Sequence, residues 1–208
     1  MDKNYWEDYY SAQNPSEKPS DYARFVNDYC DSATGMLFDI GCGNGRDTLY
    51  FLSQGVVCTG IDQSDVAIVK NREKCESLGL SGDFRQGDFS SLEYSKLAGG
   101  PFSIYSRFTL HAINYQEEAR LLEHLNNEPG LQYLFIEARS LGDSLYGQGD
   151  EVGTHEFVTS HYRRFIDPQA LQDKLKEKFE VLFFEENQGF AKTPTEDPCL
   201  IRLVARRV

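Results

Sequence analysis

Several features that identify common classes of protein are missing from this sequence. It has no run of 18 apolar residues and no apolar segment at its N-terminus, so we predict neither a membrane-spanning helix nor a secretory signal. The five cysteines are odd in number and form no Cys-x-x-Cys pair, which argues against a disulfide framework and a zinc site. We therefore expect a cytoplasmic protein that holds no metal.

Basic residues are scarce relative to acidic ones. The chain has 21 Lys and Arg against 33 Asp and Glu, a formal net charge of −12. Nucleic acids and anionic membrane surfaces both favour a basic protein face, and such a chain is repelled by them. We expect a small-molecule or glycan substrate, no nucleic-acid or membrane partner, and a monomer or homodimer.

The length and composition predict one domain over residues 1–208. A chain of 208 residues with 40% hydrophobic residues can bury a substantial core. Apolar runs alternate with helical patterns five times between residues 36 and 139, which predicts a parallel, doubly wound α/β sheet. Two further strands are expected at residues 179–185 and 199–205, after an irregular, Gly-rich and polar segment at 140–166.

Glycine is concentrated in residues 38–47, which read Phe-Asp-Ile-Gly-Cys-Gly-Asn-Gly-Arg-Asp. An apolar run precedes these glycines and a helical pattern follows, which predicts a strand, a tight glycine loop and a helix. No Lys follows the glycines, as a P-loop requires, and Arg46 occupies the place of the third glycine of a dinucleotide fingerprint. The loop therefore predicts no pyrophosphate site.

Each of the first three predicted strands ends at an acid: Asp39, Asp62 and Asp88. Ligands of an open α/β sheet bind beyond the carboxyl ends of its strands, so these three carboxylates are expected at one site. They would repel a cofactor that carries phosphate groups.

The D-x-G-x-G-x-G stretch from Asp39 to Gly45, followed by Asp62 and Asp88, resembles the motifs of the class I S-adenosylmethionine (SAM)-dependent methyltransferases, especially the small-molecule and glycan-pathway type. The resemblance covers residues 35–139 by motif and 179–208 by strand pattern. It implies an α/β, Rossmann-like class I methyltransferase fold: a seven-stranded, mostly parallel sheet with one antiparallel strand and helices on both faces. One departure is Ser103, at a place in the fourth strand where the family often has an acid.

The resemblance also implies SAM as the cofactor, a sulfonium compound that has an ammonium group and no phosphate. Asp62 would then accept the ribose hydroxyls and Asp88 the adenine amino group, with Phe89 available to pack on the ring. The residues expected at the cofactor are Asp39, Gly41, Cys42, Gly43, Gly45, Arg46, Asp62, Gln63, Asp88, Phe89 and Ser106.

Residues 1–30 are predicted to form a helical lid, with helices at 4–13 and 21–29. The aromatic side chains of Tyr5, Trp6 and Tyr10 are candidates to cover the positive sulfonium. The alternative is that these aromatic residues only pack against the domain.

The methyl acceptor is less constrained by the sequence. Residues 106–111, Ser-Arg-Phe-Thr-Leu-His, lack the motifs of adenine or glutamine amino methylation and of cytosine C5 methylation. Several basic residues follow the fourth and fifth strands or lie in 140–166, a predicted substrate-binding insertion, and could hold an anion through guanidinium groups. The alternative is that they pair with the surplus acids. The residues expected at the substrate are Tyr5, Trp6, Tyr10, Arg107, His111, Arg139, Tyr162, Arg163 and Arg164.

Two of these residues carry more specific expectations. Because an extended run alternates its faces, Arg163 and Arg164 should point to opposite sides, and at most one should face the site. His111 is the candidate catalytic base if the acceptor is a hydroxyl, whereas an anionic oxygen would need none.

We expect methyl transfer from SAM to an oxygen of a small polar or anionic acceptor, such as a phosphate, phosphonate, phosphoramidate, carboxylate or sugar. One alternative is a thiol or chalcogen methyltransferase of the thiopurine or tellurite type. Another is a SAM-binding sensor without catalysis.

Overall fold

The computed structural model describes residues 3–12, 16–30 and 35–208, with Lys3 and Asn4 described by their backbone alone. The α-helices are α1 Lys3–Ala12, α2 Asp21–Cys30, α3 Arg46–Ser53, α4 Asp65–Ser77, α5 Tyr94–Ala98, α6 Tyr115–Asn127 and α7 Pro168–Leu175. The strands are β1 Met36–Ile40, β2 Cys58–Asp62, β3 Asp83–Gln86, β4 Phe102–Arg107, β5 Leu131–Arg139, β6 Asp150–Gly153, β7 Glu156–Val158, β8 Tyr162–Arg164, β9 Phe179–Asn187 and β10 Leu200–Arg207.

The main sheet has seven strands in the order β3-β2-β1-β4-β5-β10-β9. The pairs among β1 to β5 are parallel, and β10 is antiparallel to both of its neighbours. The predicted fold is therefore confirmed, including the single antiparallel strand. The chain leaves β1 on one side for β2 and returns on the other side to β4, so a crevice forms beyond the carboxyl end of β1.

Both faces of the sheet are buried. Along β1, Leu37 packs into one hydrophobic cluster, and Phe38 and Ile40 pack into the other. Because successive side chains of a strand point to opposite faces, this assignment requires helices on both sides, as in a parallel α/β sheet. The N-terminal helix α2 belongs to the first cluster, where Tyr22 is fully buried and donates from its hydroxyl to the Leu203 carbonyl at 2.9 Å.

Three local features differ from the sequence-based prediction. Residues 140–166 are not wholly irregular, because β6, β7 and β8 form a small antiparallel sheet there. The third strand was predicted to end at Asp88, but β3 ends at Gln86. The short helix α5 was not predicted, and its five residues are too few to give a clear helical period. Position 13 of the predicted first helix lies outside the described residues.

No helix in the described ranges combines the length and apolar character needed to cross a bilayer. Within the same ranges, no group of three or more His, Cys, Asp or Glu side chains is arranged to hold a metal ion.

Candidate active site

A cavity of about 400 Å³ lies beyond the carboxyl ends of β1, β2 and β4, in the crevice that the strand order creates. It is lined by Trp6, Tyr9, Tyr10, Ser16, Asp39, Gly41, Cys42, Gly43, Asn44, Arg46, Asp47, Asp62, Arg107, Phe108, Thr109 and Ala112.

The glycine loop forms the floor of this cavity. Gly43 has φ +54° and Gly45 has φ +68°, a left-handed conformation that favours glycine, and α3 begins directly after Gly45. The Tyr10 hydroxyl lies immediately above Gly43, because a Cβ atom added to Gly43 would be 2.3 Å from it. The loop thus lies close beneath α1, and a side chain at position 43 would force the Tyr10 ring to move.

Asp62, at the end of β2, is held by the loops around it. Its carboxylate accepts from the backbone N–H of Gly43 and from that of Ser64, each at 2.9 Å. Burial raises the pKa of Asp62, and the N–H groups of Ser64 and Gly43 oppose this rise. The carboxylate faces the cavity in a fixed orientation, with acceptor capacity left for a ligand's hydroxyl groups.

Asp39 and Asp47 form a second acidic region deeper in the cavity wall. The Thr48 hydroxyl donates to Asp39 at 2.6 Å, and Asp47 accepts from the Ser20 N–H, the Ser20 hydroxyl and the Tyr105 hydroxyl at 2.7–2.9 Å. Burial, together with the charge of Asp47, raises the pKa of Asp39 to about 7. A cationic group bound nearby would favour the charged form of Asp39.

A bulky residue directly after β4 has a left-handed backbone conformation. Phe108 has φ +61°, which is unfavourable for a bulky residue, and its N–H donates to the Glu137 carbonyl at 2.8 Å. The Arg107 guanidinium lies over the Phe108 ring, 4.1 Å from its centre, and 2.8 Å from the Glu137 carboxylate. This turn directs Arg107 and Phe108 into the cavity wall.

The helix α1 covers the cavity from outside. Trp6, Tyr9 and Tyr10 line it, whereas Tyr5 turns the other way and stacks on His161, with ring centres 5.0 Å apart. Glu7 joins α1 to the start of α4, as described below. Of the two helices expected to form a lid, α1 thus lines the cavity, whereas α2 packs in the core.

The cavity lining carries charges and aromatic faces that suit SAM. Asp39 and Asp62 provide anionic acceptors for an ammonium group and for ribose hydroxyls, and Arg46 provides a cation for a carboxylate. The aromatic faces of Trp6, Tyr9, Tyr10 and Phe108 suit a sulfonium. The residues present therefore fit the cofactor that the sequence resemblance implies.

A basic and aromatic cluster, formed by His111, His161, Arg139 and Arg163, adjoins the cavity. The His111 ring is 4.9 Å from that of Phe108, which lines the cavity. Burial and then the charges of Arg139, Arg163, Arg107 and His161 hold the pKa of His111 well below its usual value. The same causes, burial followed by Arg163 and Arg139, lower the pKa of His161 to about 4. Both imidazoles are therefore neutral at pH 7.

The arginines of the cluster are not equivalent. Arg139 is paired with Asp143 at 2.9 Å and with Glu196 at 2.6 Å. Among the described residues, Arg163 forms no ion pair and donates to the Thr159 hydroxyl at 2.8 Å. Burial and the charge of Arg139 lower the pKa of Arg163. Arg163 is thus the cation of this cluster with the most capacity left for an anion.

Arg164 points away from the site, as the alternation along β8 requires. It is 3% exposed, forms an ion pair with Glu118 and donates to the carbonyls of Ile113 and Leu110. Arg164 was expected to bind substrate, but its guanidinium donors are already bonded to Glu118 and to these two carbonyls, so it is not placed to do so. Tyr162, also expected at the substrate, donates from its hydroxyl to the Ile113 carbonyl at 3.4 Å.

Several residues expected at the cofactor do not line the cavity. Asp88 is exposed and accepts from the N–H and hydroxyl of Ser90, and Phe89 is 2% exposed within the hydrophobic core. Because β3 ends early, these two residues belong to a turn rather than to the strand end. Gly45, Gln63 and Ser106 are also outside the cavity lining.

The structure adds wall residues that the sequence did not indicate. Asn44, Asp47 and Thr109 line the cavity, and the Thr109 hydroxyl donates to the Ile40 carbonyl at 2.6 Å. Asp47 follows Arg46 at the end of the glycine-rich stretch. A polar residue at the start of a predicted helix is a signal from which its position at the site could have been predicted. Thr109 gave no signal, because only the approach of the β4 turn to β1 brings it to the site.

Comparison with known proteins gives the following matches. Residues 37–127 match the model of a family described as methyltransferase domain. A solved SAM-dependent methyltransferase from Anabaena variabilis is 20% identical, with TM-score 0.71, and the match covers 99% of this chain and 93% of that one. No curated protein matches the chain.

Two further solved structures are similar over nearly the whole chain. TehB from Haemophilus influenzae is 18% identical with TM-score 0.65, covering 99% of this chain and 67% of that one. A magnesium protoporphyrin IX methyltransferase from Synechocystis, with bound SAM, is 14% identical with TM-score 0.67, covering 100% of this chain and 98% of that one. At these identities the similarity establishes the fold.

Proposed function

We propose that this chain, a class I SAM-dependent methyltransferase by its matched domain and its fold, methylates an oxygen of a small acceptor that is already anionic when it binds. The observation that carries the proposal is the cluster beside the cavity, in which Arg163 has no ion pair among the described residues and both neighbouring imidazoles are neutral. Carboxylates, phosphates, phosphonates and phosphoramidates are the acceptor classes that fit.

The cofactor supplies an electrophilic methyl group on a sulfonium. When bound, it would give that methyl group to the acceptor oxygen, and the electron pair of the broken carbon–sulfur bond would remain on sulfur in the product S-adenosylhomocysteine (SAH). The chain's part is to align the acceptor and exclude water, because an anionic oxygen has no proton to lose. Arg163 would hold the anion, and the lid residues Trp6 and Tyr10 would close the cavity.

His111 has a different role here from that of a base. The backbone N–H of Arg139 donates to its Nδ1 atom at 3.5 Å, so the ring proton of the neutral imidazole belongs on Nε2. With its pKa lowered by burial and by the surrounding cations, His111 is a weak proton acceptor. We therefore propose that His111 acts as a neutral hydrogen-bond donor and not as the expected catalytic base. This role favours acceptors that need no deprotonation.

The test is a matched set of acceptors assayed for SAH formation at pH 7.5. Each carboxylate, phosphate monoester and phosphonate is paired with the neutral amide or alcohol of the same skeleton, and a thiol series is run in parallel. We expect turnover with the anionic member of at least one pair and none with its neutral partner. Preference for neutral alcohols or thiols, or SAH binding without turnover of any acceptor, would contradict the proposal and favour the alternatives.

Variants of Arg163 test the anion site directly. Arg163→Ala should raise the KM of the anionic acceptor about tenfold or more, since a hydrogen bond to a charged group contributes roughly 1.5–3 kcal/mol. Arg163→Lys should recover part of the loss. The matched control is Arg120→Ala on the exposed face of α6, which should leave KM unchanged.

A further inference from the structure

Glu7 occupies an unusual position for a residue of the lid helix. Its carboxylate accepts from the Ser64 hydroxyl at 2.9 Å, from the Asp65 N–H at 2.8 Å and from the Val66 N–H at 3.3 Å. These partners are 57 to 59 residues away in sequence and lie at the start of α4. The lid is thus attached to the turn that directly follows Asp62.

Glu7 accepts hydrogen bonds from backbone N–H groups at the start of α4 that have no partner within the helix. The first N–H groups of a helix have no partner within the helix. Here Ala67 donates to the Ser64 hydroxyl oxygen at 3.1 Å, and Ile68 donates to the Ser64 carbonyl at 3.2 Å. The N–H groups of Asp65 and Val66 remain, and they are the two that Glu7 accepts. A carboxylate at a helix N-terminus is also favoured by the helix dipole.

The same turn holds the acid of the cofactor cavity. The Ser64 N–H donates to Asp62, while the Ser64 hydroxyl donates to Glu7. One serine therefore lies between the carboxylate that faces the cavity and the carboxylate that holds the lid. The charge of Glu7 contributes to the raised pKa of Asp62, after the larger effect of burial.

A second contact holds the other end of the lid. The Lys70 ammonium of α4 donates to the Tyr10 carbonyl at 2.5 Å, near the C-terminal end of α1. The two contacts are made at Glu7 and at Tyr10, within the same stretch of α1 as the cavity-lining residues Trp6, Tyr9 and Tyr10. Of the two, the Lys70 contact is exposed and single, whereas the Glu7 contact is multiple and partly buried.

We propose that Glu7 is a positioning residue that fastens α1 over the bound cofactor, so that release of SAH requires its hydrogen bonds to α4 to break. This inference rests on the proposed function only in taking the cavity as the SAH site. On this view, the rate of product release depends on the contact between Glu7 and the start of α4, and not on a contact between Glu7 and the ligand.

The chain provides its own probe for the test. Trp6 is the single tryptophan of the sequence and lines the cavity on α1, so its fluorescence reports the lid. The experiment measures SAH association and release by stopped-flow Trp6 fluorescence, together with acrylamide quenching of Trp6 in the SAH complex. Circular dichroism of each variant checks folding.

We expect Glu7→Ala to release SAH about tenfold faster, as for loss of a helix N-cap interaction, with association changed less than about twofold. Trp6 should become more accessible to acrylamide in the complex. Glu7→Gln keeps an acceptor oxygen and should give an intermediate release rate. The matched control is Glu17→Ala, since Glu17 also joins the N-terminal segment to α4, through Lys74 at 2.6 Å, but is exposed and far from the start of α4.

The outcomes separate the two proposals. If the wild-type protein does not bind SAH, the proposed function falls. If it binds SAH and both Glu7 variants release SAH and shield Trp6 as the wild type does, the role of Glu7 is overturned. Should Glu7→Ala fail to fold, the Glu7→Gln comparison alone decides, and a release rate equal to that of Glu17→Ala overturns the proposal.

Discussion

The backbone N–H of Gly43 donates to the carboxylate of Asp62 at 2.9 Å, which ties the acid at the end of β2 to the glycine loop after β1. The two residues are 19 positions apart in sequence. This hydrogen bond joins the acid and the loop into one structural unit that forms the cavity floor. The space above Gly43 is occupied by the Tyr10 hydroxyl of α1.

The first prediction concerns Asp62. Asp62→Ala removes the acceptor of the Gly43 and Ser64 N–H groups and the carboxylate that faces the cavity. We expect SAH affinity to fall by about 100-fold, or roughly 2.7 kcal/mol, measured by calorimetry. Asp173→Ala on the surface of α7 serves as the control. Near-native SAH affinity in Asp62→Ala would show that this cavity is not the cofactor site.

The second prediction concerns pH. The pKa of Asp39 is raised to about 7, so the native protein holds this proton more tightly than the unfolded chain does. The resulting stabilisation is fully present below the unfolded pKa of about 4 and is lost as pH rises through about 7. In the absence of cofactor, the stability of Asp39→Asn relative to that of the wild type should therefore increase as pH rises from about 5 to about 8.

We expect this gain to be about 1–3 kcal/mol, measured by urea unfolding at each pH. Asp39→Asn should at the same time bind SAH more weakly, because the charged form of Asp39 would pair with a bound ammonium group. A difference in stability that stays constant with pH would show that Asp39 does not titrate as described.

The third prediction tests the contact between the lid and the glycine loop. Gly43→Ala places a methyl group 2.3 Å from the Tyr10 hydroxyl and puts alanine at φ +54°, at a cost of about 1–2 kcal/mol for the backbone alone. SAH affinity should fall. In the double variant with Tyr10→Ala the clash is absent, so the added effect of Gly43→Ala should be smaller than in the wild-type background. Equal effects in both backgrounds would show that Tyr10 does not lie over the loop.

The fourth prediction separates Arg163 from Arg164 by stability. Arg164→Ala leaves Glu118 with one cationic partner, Lys174, and removes donors to two carbonyls, so we expect a loss of about 2–4 kcal/mol in urea unfolding. Arg163→Ala removes one partly exposed contact to Thr159 and should change stability by less than about 1 kcal/mol. If Arg163→Ala were as destabilising as Arg164→Ala, Arg163 would be a structural residue.

The cofactor half of the site was largely predictable because it depends on local sequence. A strand, a glycine loop and a helix follow one another between residues 36 and 53, and the acid ends of adjacent parallel strands necessarily meet at one edge. Asp39, Gly43 and Asp62 were therefore placed correctly at the cavity. Asp88 and Phe89 do not line this cavity, because β3 ends at Gln86, and the point at which β3 ends depends on pairing with β2 and not on its own pattern.

The acceptor half was less predictable because it depends on residues that are distant in sequence. Alternation along residues 162–164 indicated that one of two arginines would face the site, but only the packing of α6 and α7 decided which one. Glu118 and Lys174 occupy the side of Arg164 and leave Arg163 to the cluster.

The sequence by itself determined the fold and the chemistry of the cofactor, since hydrophobic periodicity, glycine spacing and strand-end acids are local properties. The tertiary structure decided which charges remain available. Burial and the cations of three strands lower the pKa of His111, and Glu7 has its partners on α4. Charge pairing, burial and helix capping by distant residues are set by three-dimensional proximity, which a pattern along one chain does not specify.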